Sequence, residues 1–271
     1  MSRRESADPK KALILTDLEG ITGVDTIDAI PSDSPLYRDA CIALMEDTNV
    51  AAAALFDAGA EEVYVLDGHG GGNNFIKEML DPRTRQVTIA ELPKVIKDIS
   101  AVVLIGMHAM SGTYKAFLDH TQSSAFIHNY FYNGERIGEL SQAGTFAGHF
   151  GVPCVAVSGD SAVCCEALRV FPGIYTAEVK HAERRNTATS LPKSEAHSLI
   201  YKACREGFLH RASIEPMSVS LPLTVDVEFN RADAADSAVE KHPELTRIDA
   251  RTVRSVKERI ETYFDVLIMW G

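Results

Sequence analysis

Acids and histidines stand just beyond three apolar runs of the chain. Asp17 and Glu19 follow Lys11–Thr16 (KALILT), His69 follows Glu62–Leu66 (EVYVL), and His108 follows Ala101–Ile105 (AVVLI). In extended chain, residues two apart project to the same face, so the carboxylates of Asp17 and Glu19 sit side by side. Both stay ionised only beside a compensating cation. A solvated acidic turn would account for that pair alone. Imidazoles at equivalent positions on two further runs point instead to a divalent metal, and a set of oxygen and imidazole ligands without thiolate is one that zinc accepts. Glu139, in Gly138-Glu139-Leu140, is the fifth candidate ligand. By itself it reads as an acid in the first turn of a helix, where the dipole favours it. With Asp17 and Glu19 it brings three negative charges against the four of two metal ions, leaving one for a bound hydroxide.

Neighbouring residues have two readings each. Asp67 either accepts the second N–H of the His69 imidazole or makes a turn hydrogen bond at the end of its strand. Asn73 and Asn74 either pin their loop or bind a peptide carbonyl. Gly70-Gly71-Gly72 lacks the Gly-Lys-Ser/Thr ending of a phosphate loop and reads as a flexible rim. His128, His149, His181, His197, His210 and His242 read as ordinary surface or core residues.

The elements that carry these residues alternate. The runs at 11–16, 62–66 and 101–105 suit buried parallel strands, with a helix over Ser34–Ala58 that stops at Gly59. Asn133-Gly134 between Ala125–Tyr132 and Arg136–Ile137 signals an antiparallel hairpin. A helix over Gly138–Phe150, a strand over Val152–Ser158 and a helix over Asp160–Phe171 resume the alternation. Beyond Leu191 a helix to about Leu209, strands at Val219–Phe229 and near Thr246–Thr252, and a final helix are expected. The fold class is therefore α/β: a largely parallel sheet flanked by helices, an antiparallel hairpin excursion, and a second, smaller α/β domain. The expected division is a loose arm at 1–10, a metal-binding catalytic domain at 11–190 and the smaller domain at 191–271.

Composition narrows the partners. With 271 residues, 45% of them hydrophobic, the chain can bury a substantial core. A formal charge of −11 and no basic stripe argue against nucleic acid. No apolar run approaches the roughly 20 residues of a membrane span, and Met1–Lys10 does not read as a secretory signal. Five cysteines without a CxxC suggest neither a disulfide framework nor a thiolate metal site, which fits a reducing cytoplasm and burial of the thiols as small hydrophobes.

Taken in order, Thr16-Asp17-Leu18-Glu19-Gly20, Asp67-Gly68-His69 with Asn73-Asn74, Gly106-Met107-His108, His120, Gly138-Glu139-Leu140 and Gly159-Asp160 resemble the D-aminopeptidase family of binuclear zinc peptidases, over about residues 11–270. Thr16 departs from the usual serine of the first motif. The resemblance implies two zinc ions, replaceable by cobalt or manganese. It gives Asp17 a bridging role, Glu19 and His108 on one ion, and His69 and Glu139 on the other. It puts the catalytic histidine at His120, as proton shuttle or oxyanion stabiliser, and implies a homodecamer around an enclosed chamber. The expected activity is an aminopeptidase on short peptides or amino-acid amides. A two-metal amidohydrolase for another amide or an L-peptide, and a non-catalytic metal- or nucleotide-binding module, are the alternatives.

Overall fold

The computed structural model describes residues 10–270, so the expected N-terminal arm lies outside the described residues except for Lys10. Two sheets form the frame. The larger takes its strands in the order β3-β2-β1-β4-β7-β8-β9, comprising β1 (Lys11–Thr16), β2 (Glu62–Asp67), β3 (Arg85–Val87), β4 (Ala101–Met107), β7 (Cys154–Asp160), β8 (Tyr175–Arg184) and β9 (Thr187–Ser190). All pair in parallel except β9, which returns antiparallel along β8. β1, β4 and β7 are buried along nearly their whole length, which explains their unbroken Val, Ile, Leu and Ala runs.

Alternate side chains face two apolar layers. Ala12, Ile14, Val63, Val65, Val103 and Ile105 pack beneath helices α1 (Tyr37–Asp57) and α5 (Lys193–Leu209). Leu13, Leu15, Tyr64, Leu66, Val102 and Leu104 face the other way. That second layer also holds α3 (Glu139–His149), α4 (Ser161–Val170) and the smaller sheet, and the single turn α2 (Leu92–Val95) adds Leu92 to it. The smaller sheet is antiparallel, with strand order β11-β12-β10-β5-β6. It consists of β5 (Ile127–Tyr132), β6 (Glu135–Ile137), β10 (Leu223–Phe229), β11 (Thr246–Arg247) and β12 (Thr252–Lys257), with α6 (Ala232–Lys241) packed on it.

The two sheets interleave along the chain instead of meeting at one boundary near residue 190. The β5–β6 hairpin leaves the middle of the first segment and pairs with β10, Val225 opposite Tyr132. Helix α5, placed in the second segment by its sequence position, packs on α1, β7 and β8 of the large sheet. Three local expectations also change. The polar stretch just before the expected boundary at residue 190 contains β9, an edge strand with no buried residue and hence no apolar signal. The strand near Thr246–Thr252 is two strands, β11 and β12, joined by a turn in which Asp249 accepts from the N–H groups of Arg251 and Thr252. In place of a final helix there is β12 and a single 3-10 turn at Tyr263–Val266, capped by Thr262 and Asp265. Four cysteines are buried as expected, but Cys165 faces solvent on α4. Among the described residues no helix is long and apolar enough to cross a membrane.

Candidate metal centre

The ends of β1, β4 and β7 are pressed together backbone to backbone. Asp17 N–H donates to Ile105 O at 2.8 Å and Gly20 N–H to Gly106 O at 2.7 Å. A Cβ at Gly20 would lie 2.1 Å from Met107 O, and one at Gly159 2.2 Å from the same oxygen. Gly106, at φ +75°, would place a Cβ 2.4 Å from Asp17 O. The chain leaving β1 therefore lies flat on β4, with Asp17 and Glu19 buried. Gly68 N–H donates to Thr16 O at 3.0 Å and starts the turn that carries His69 over the same spot. His108 follows β4 directly, and Glu139 opens α3.

All five expected ligands converge. His69 Nδ1 lies 2.9 Å from Asp17 Oδ1 and 3.1 Å from Glu19 Oε2. His108 Nε2 lies 3.3 Å from Asp17 Oδ2 and 3.4 Å from Glu139 Oε1. Two three-residue sets result, Asp17-Glu19-His69 and Asp17-His108-Glu139, each with its ligand atoms within 4.8 Å of one another and both containing Asp17. Asp17 is common to both sets. In these two sets Glu19 groups with His69, and Glu139 with His108. Glu19 also approaches His108 and His120 closely enough to form a third set, so the three groups overlap in one cluster.

Burial and charge oppose each other here. Burial alone would raise the carboxyls, but facing imidazoles outweigh it, so Glu19 sits well below the carboxylate range and Glu139 at about 2. Burial likewise disfavours a charged imidazole, yet Glu19 and Asp17 carry His69 up to about 11. Glu139 and Asp17 raise His108 in the same way. The cluster thus demands positive charge at its centre. His108 Nδ1 is taken by Ala109 O at 3.0 Å, which fixes the tautomer that leaves Nε2 facing the carboxylates. Nε2 itself is buried without a hydrogen-bond partner, and so is Glu19 Oε2, close to His69 but out of hydrogen-bond geometry. Orphaned donor atoms aimed inward among acids fit a bound cation.

His120 stacks on His108 with ring centroids 3.9 Å apart, and its Nε2 lies 3.9 Å from both Glu19 Oε1 and Glu139 Oε1. Its Nδ1 is held by Leu118 O at 2.7 Å. The loop bearing it is tied to α4 by two buried acids. Asp160 accepts from Phe117 N–H at 2.7 Å while capping α4 through Val163 N–H, and Glu166 accepts from Met110 N–H at 2.8 Å. Asp67 does not reach the His69 imidazole. It accepts from Asn74 N–H at 2.6 Å and Asn74 Nδ2 at 2.8 Å, and Asn74 Nδ2 also donates to His69 O, so this pair pins the loop. Asn73, at φ +79°, lines the cavity beyond His69. None of the other six histidines joins such a cluster among the described residues.

Residue-by-residue reading missed Gln122, whose N–H holds Glu139 Oε1 at 2.7 Å, and Tyr263, which lines a cavity with Asp17 and Glu139. Neither sits at a strand end, the signal that exposed Asp17, Glu19, His69 and His108. A family model described as D-aminopeptidase, peptidase family M55, matches residues 10–269. The chain belongs to the D-aminopeptidase family. The D-aminopeptidase of Bacillus subtilis (strain 168) is 24% identical over 265 residues, covering 96% of each chain. The solved structure of the Zn-dependent D-aminopeptidase DppA from Bacillus subtilis, described as a self-compartmentalizing protease, superposes with a TM-score of 0.88 at 22% identity over 94% of each chain. The α/β fold with its separate antiparallel sheet is common to both.

Proposed function

We propose that this member of the D-aminopeptidase family is a zinc-dependent aminopeptidase that cleaves the amide beside a free amino terminus in short peptides or amino-acid amides, with D-residues as the preferred terminus. The observation that carries this reading is the pair of three-ligand sets sharing Asp17. Asp17 would bridge two ions, with Glu19 and His69 holding one and Glu139 and His108 the other. Zinc held by these residues would supply Lewis acidity toward the scissile carbonyl and would lower the pKa of water near neutral pH. His120, with Nδ1 anchored, presents Nε2 to the reacting centre, where it passes a proton to the leaving amine or steadies the oxyanion. Asp160 and Glu166 hold its loop in place. Asp67 and Asn74 keep the His69 turn rigid. We further propose a cytoplasmic homo-oligomer, an expectation supported by the self-compartmentalizing relative.

The test is turnover of paired D- and L-dipeptides and amino-acid amides by metal-replete protein, read beside its zinc content. The expected result is about two zinc ions per chain and faster cleavage of the D-series. A protein holding both ions but turning over none of the amides would leave a metal-binding module, and preference for L-peptides would remove the stereochemical part. Light scattering that gave an active monomer would remove the oligomer.

A further inference from the structure

Beside the cluster lies a small cavity of about 70 Å³, with Thr16, Asp17, Gly68, Gln122 and Glu139 at its polar side. Most of its remaining lining is hydrocarbon. Leu15, Leu66 and Met107 come from the strand ends, Ile89 and Leu92 from the turn after β3, and Leu267 from the C-terminal segment. Tyr263 completes the wall, packed edge-on against Phe146. A second cavity of about 300 Å³ shares Asp17, Gly68, Gln122 and Glu139 with the first and is bordered by His69, Gly70 and Gly71. A third, of about 500 Å³, shares His69 and Gly70 with the second and is edged by Tyr37, Asn73 and Asn74. The cluster therefore stands between a small apolar recess and a roomier polar corridor.

We propose that the recess is the subsite for the side chain of the substrate's N-terminal residue and takes an aliphatic group of up to about three carbons, while the rest of the peptide runs along the corridor past Gly70, Gly71 and Asn73. The assignment rests on the aminopeptidase reading above. Three physical points set it. A peptide backbone or an amine buried among Leu15, Leu66, Ile89, Leu92 and Leu267 would lose its hydrogen bonds, so hydrocarbon is what the recess accepts. Volume sets the size: a cavity of roughly 150 Å³ takes the six carbons of benzene, so about 70 Å³ holds about three, a methyl to an isopropyl group. Direction follows from the remaining space. A chain continuing beyond the scissile bond needs room and hydrogen-bonding partners, and the glycine-lined corridor offers both, since a Cβ at Gly70 or Gly71 would meet nothing within 4 Å.

The experiment uses zinc-loaded protein with amides of glycine, alanine, valine, leucine and phenylalanine in both configurations, so that only the N-terminal side chain varies. For the wild type, kcat/KM should rise from glycine to valine, by about tenfold per added carbon at most sites of this kind, and fall again for leucine and phenylalanine. Leu267→Ala enlarges the recess and should raise the leucine-to-valine ratio. Ile89→Phe fills it from a half-buried position, which keeps the test open if Leu267→Ala does not fold, and should lower the valine-to-alanine ratio. Zinc content checks that the centre is intact. A ratio profile that neither variant shifts, with all substrates scaled alike, would overturn the assignment while leaving the aminopeptidase reading standing. Absence of turnover on every amide would sink that reading, and the subsite with it.

Discussion

The two sheets share one apolar core yet treat charge in opposite ways. On the smaller sheet, acids meet arginines across neighbouring strands: Asp226 holds Arg254 at 2.6 Å, and Glu228 pairs with Arg251. These pairs neutralise themselves at a half-exposed surface and ask for nothing further. At the strand ends of the large sheet, Asp17, Glu19 and Glu139 are gathered with only imidazoles against them, and no Lys or Arg side chain pairs with their carboxylates among the described residues. Acids concentrated out of water without a fixed cation mark the place where a mobile one belongs. The paired acids mark scaffold.

That contrast can be broken by substitution. Removing the shared ligand should do most: Asp17→Asn is expected to empty both ion sites and lower kcat/KM by more than about 10²-fold, because substitutions merely beside metal ligands already cost 10–100-fold. Elemental analysis and kinetics on the same preparation check it, and retention of both ions would deny the bridge. His120→Ala should lower kcat by roughly 10²-fold with zinc content unchanged. Lost zinc would make it a ligand, and unchanged turnover would remove it from the chemistry. Asp160→Asn leaves the ions in place but weakens the tie to Phe117 N–H and the cap of α4. A stability loss of about 1 kcal/mol in denaturant melts is expected, with a smaller fall in kcat than His120→Ala produces. Least of all should come from the small sheet: Arg254→Met should cost about 0.2–1 kcal/mol and leave kcat/KM where it was. An activity loss there comparable to that of His120→Ala would erase the distinction between the two regions.

The large sheet was legible because its strands are buried on both faces and read as continuous apolar runs, each ending where a ligand begins. Glu139 opens a helix and rested on charge counting, whereas four candidate ligands, Asp17, Glu19, His69 and His108, could be named from that register. Their grouping could not, since whether Glu19 faces His69 or His108 depends on side-chain rotamers and on the turn at Gly68, which strand periodicity does not encode. The small sheet was harder for a different reason. Its hairpin at 127–137 carries a local turn signal, but pairing with β10 joins residues about a hundred apart, and nothing in either segment names its partner. Around Tyr263 to Ile268, the apolar residues that suggested a helix are spread over a single turn and an extended tail: Val266, Leu267 and Ile268 are buried while Phe264 faces solvent. The Tyr263 and Leu267 contribution to a cavity next to Asp17 is a tertiary fact with no local trace.

The absence of side chains at Gly20, Gly106 and Gly159, where the ends of β1, β4 and β7 mesh main chain to main chain, divides the molecule by its tolerance of inheritance. Any residue larger than glycine at these positions would drive a Cβ to within 2.4 Å of a neighbouring backbone oxygen and push the ligand-bearing strands apart. The floor of the site is therefore closed to gradual change. Ile89, Leu92 and Leu267 meet their surroundings through side chains alone, where volume can be added or removed in small steps. Descendants of this chain can alter what they cut by repapering those walls, while the way they cut it is passed on intact.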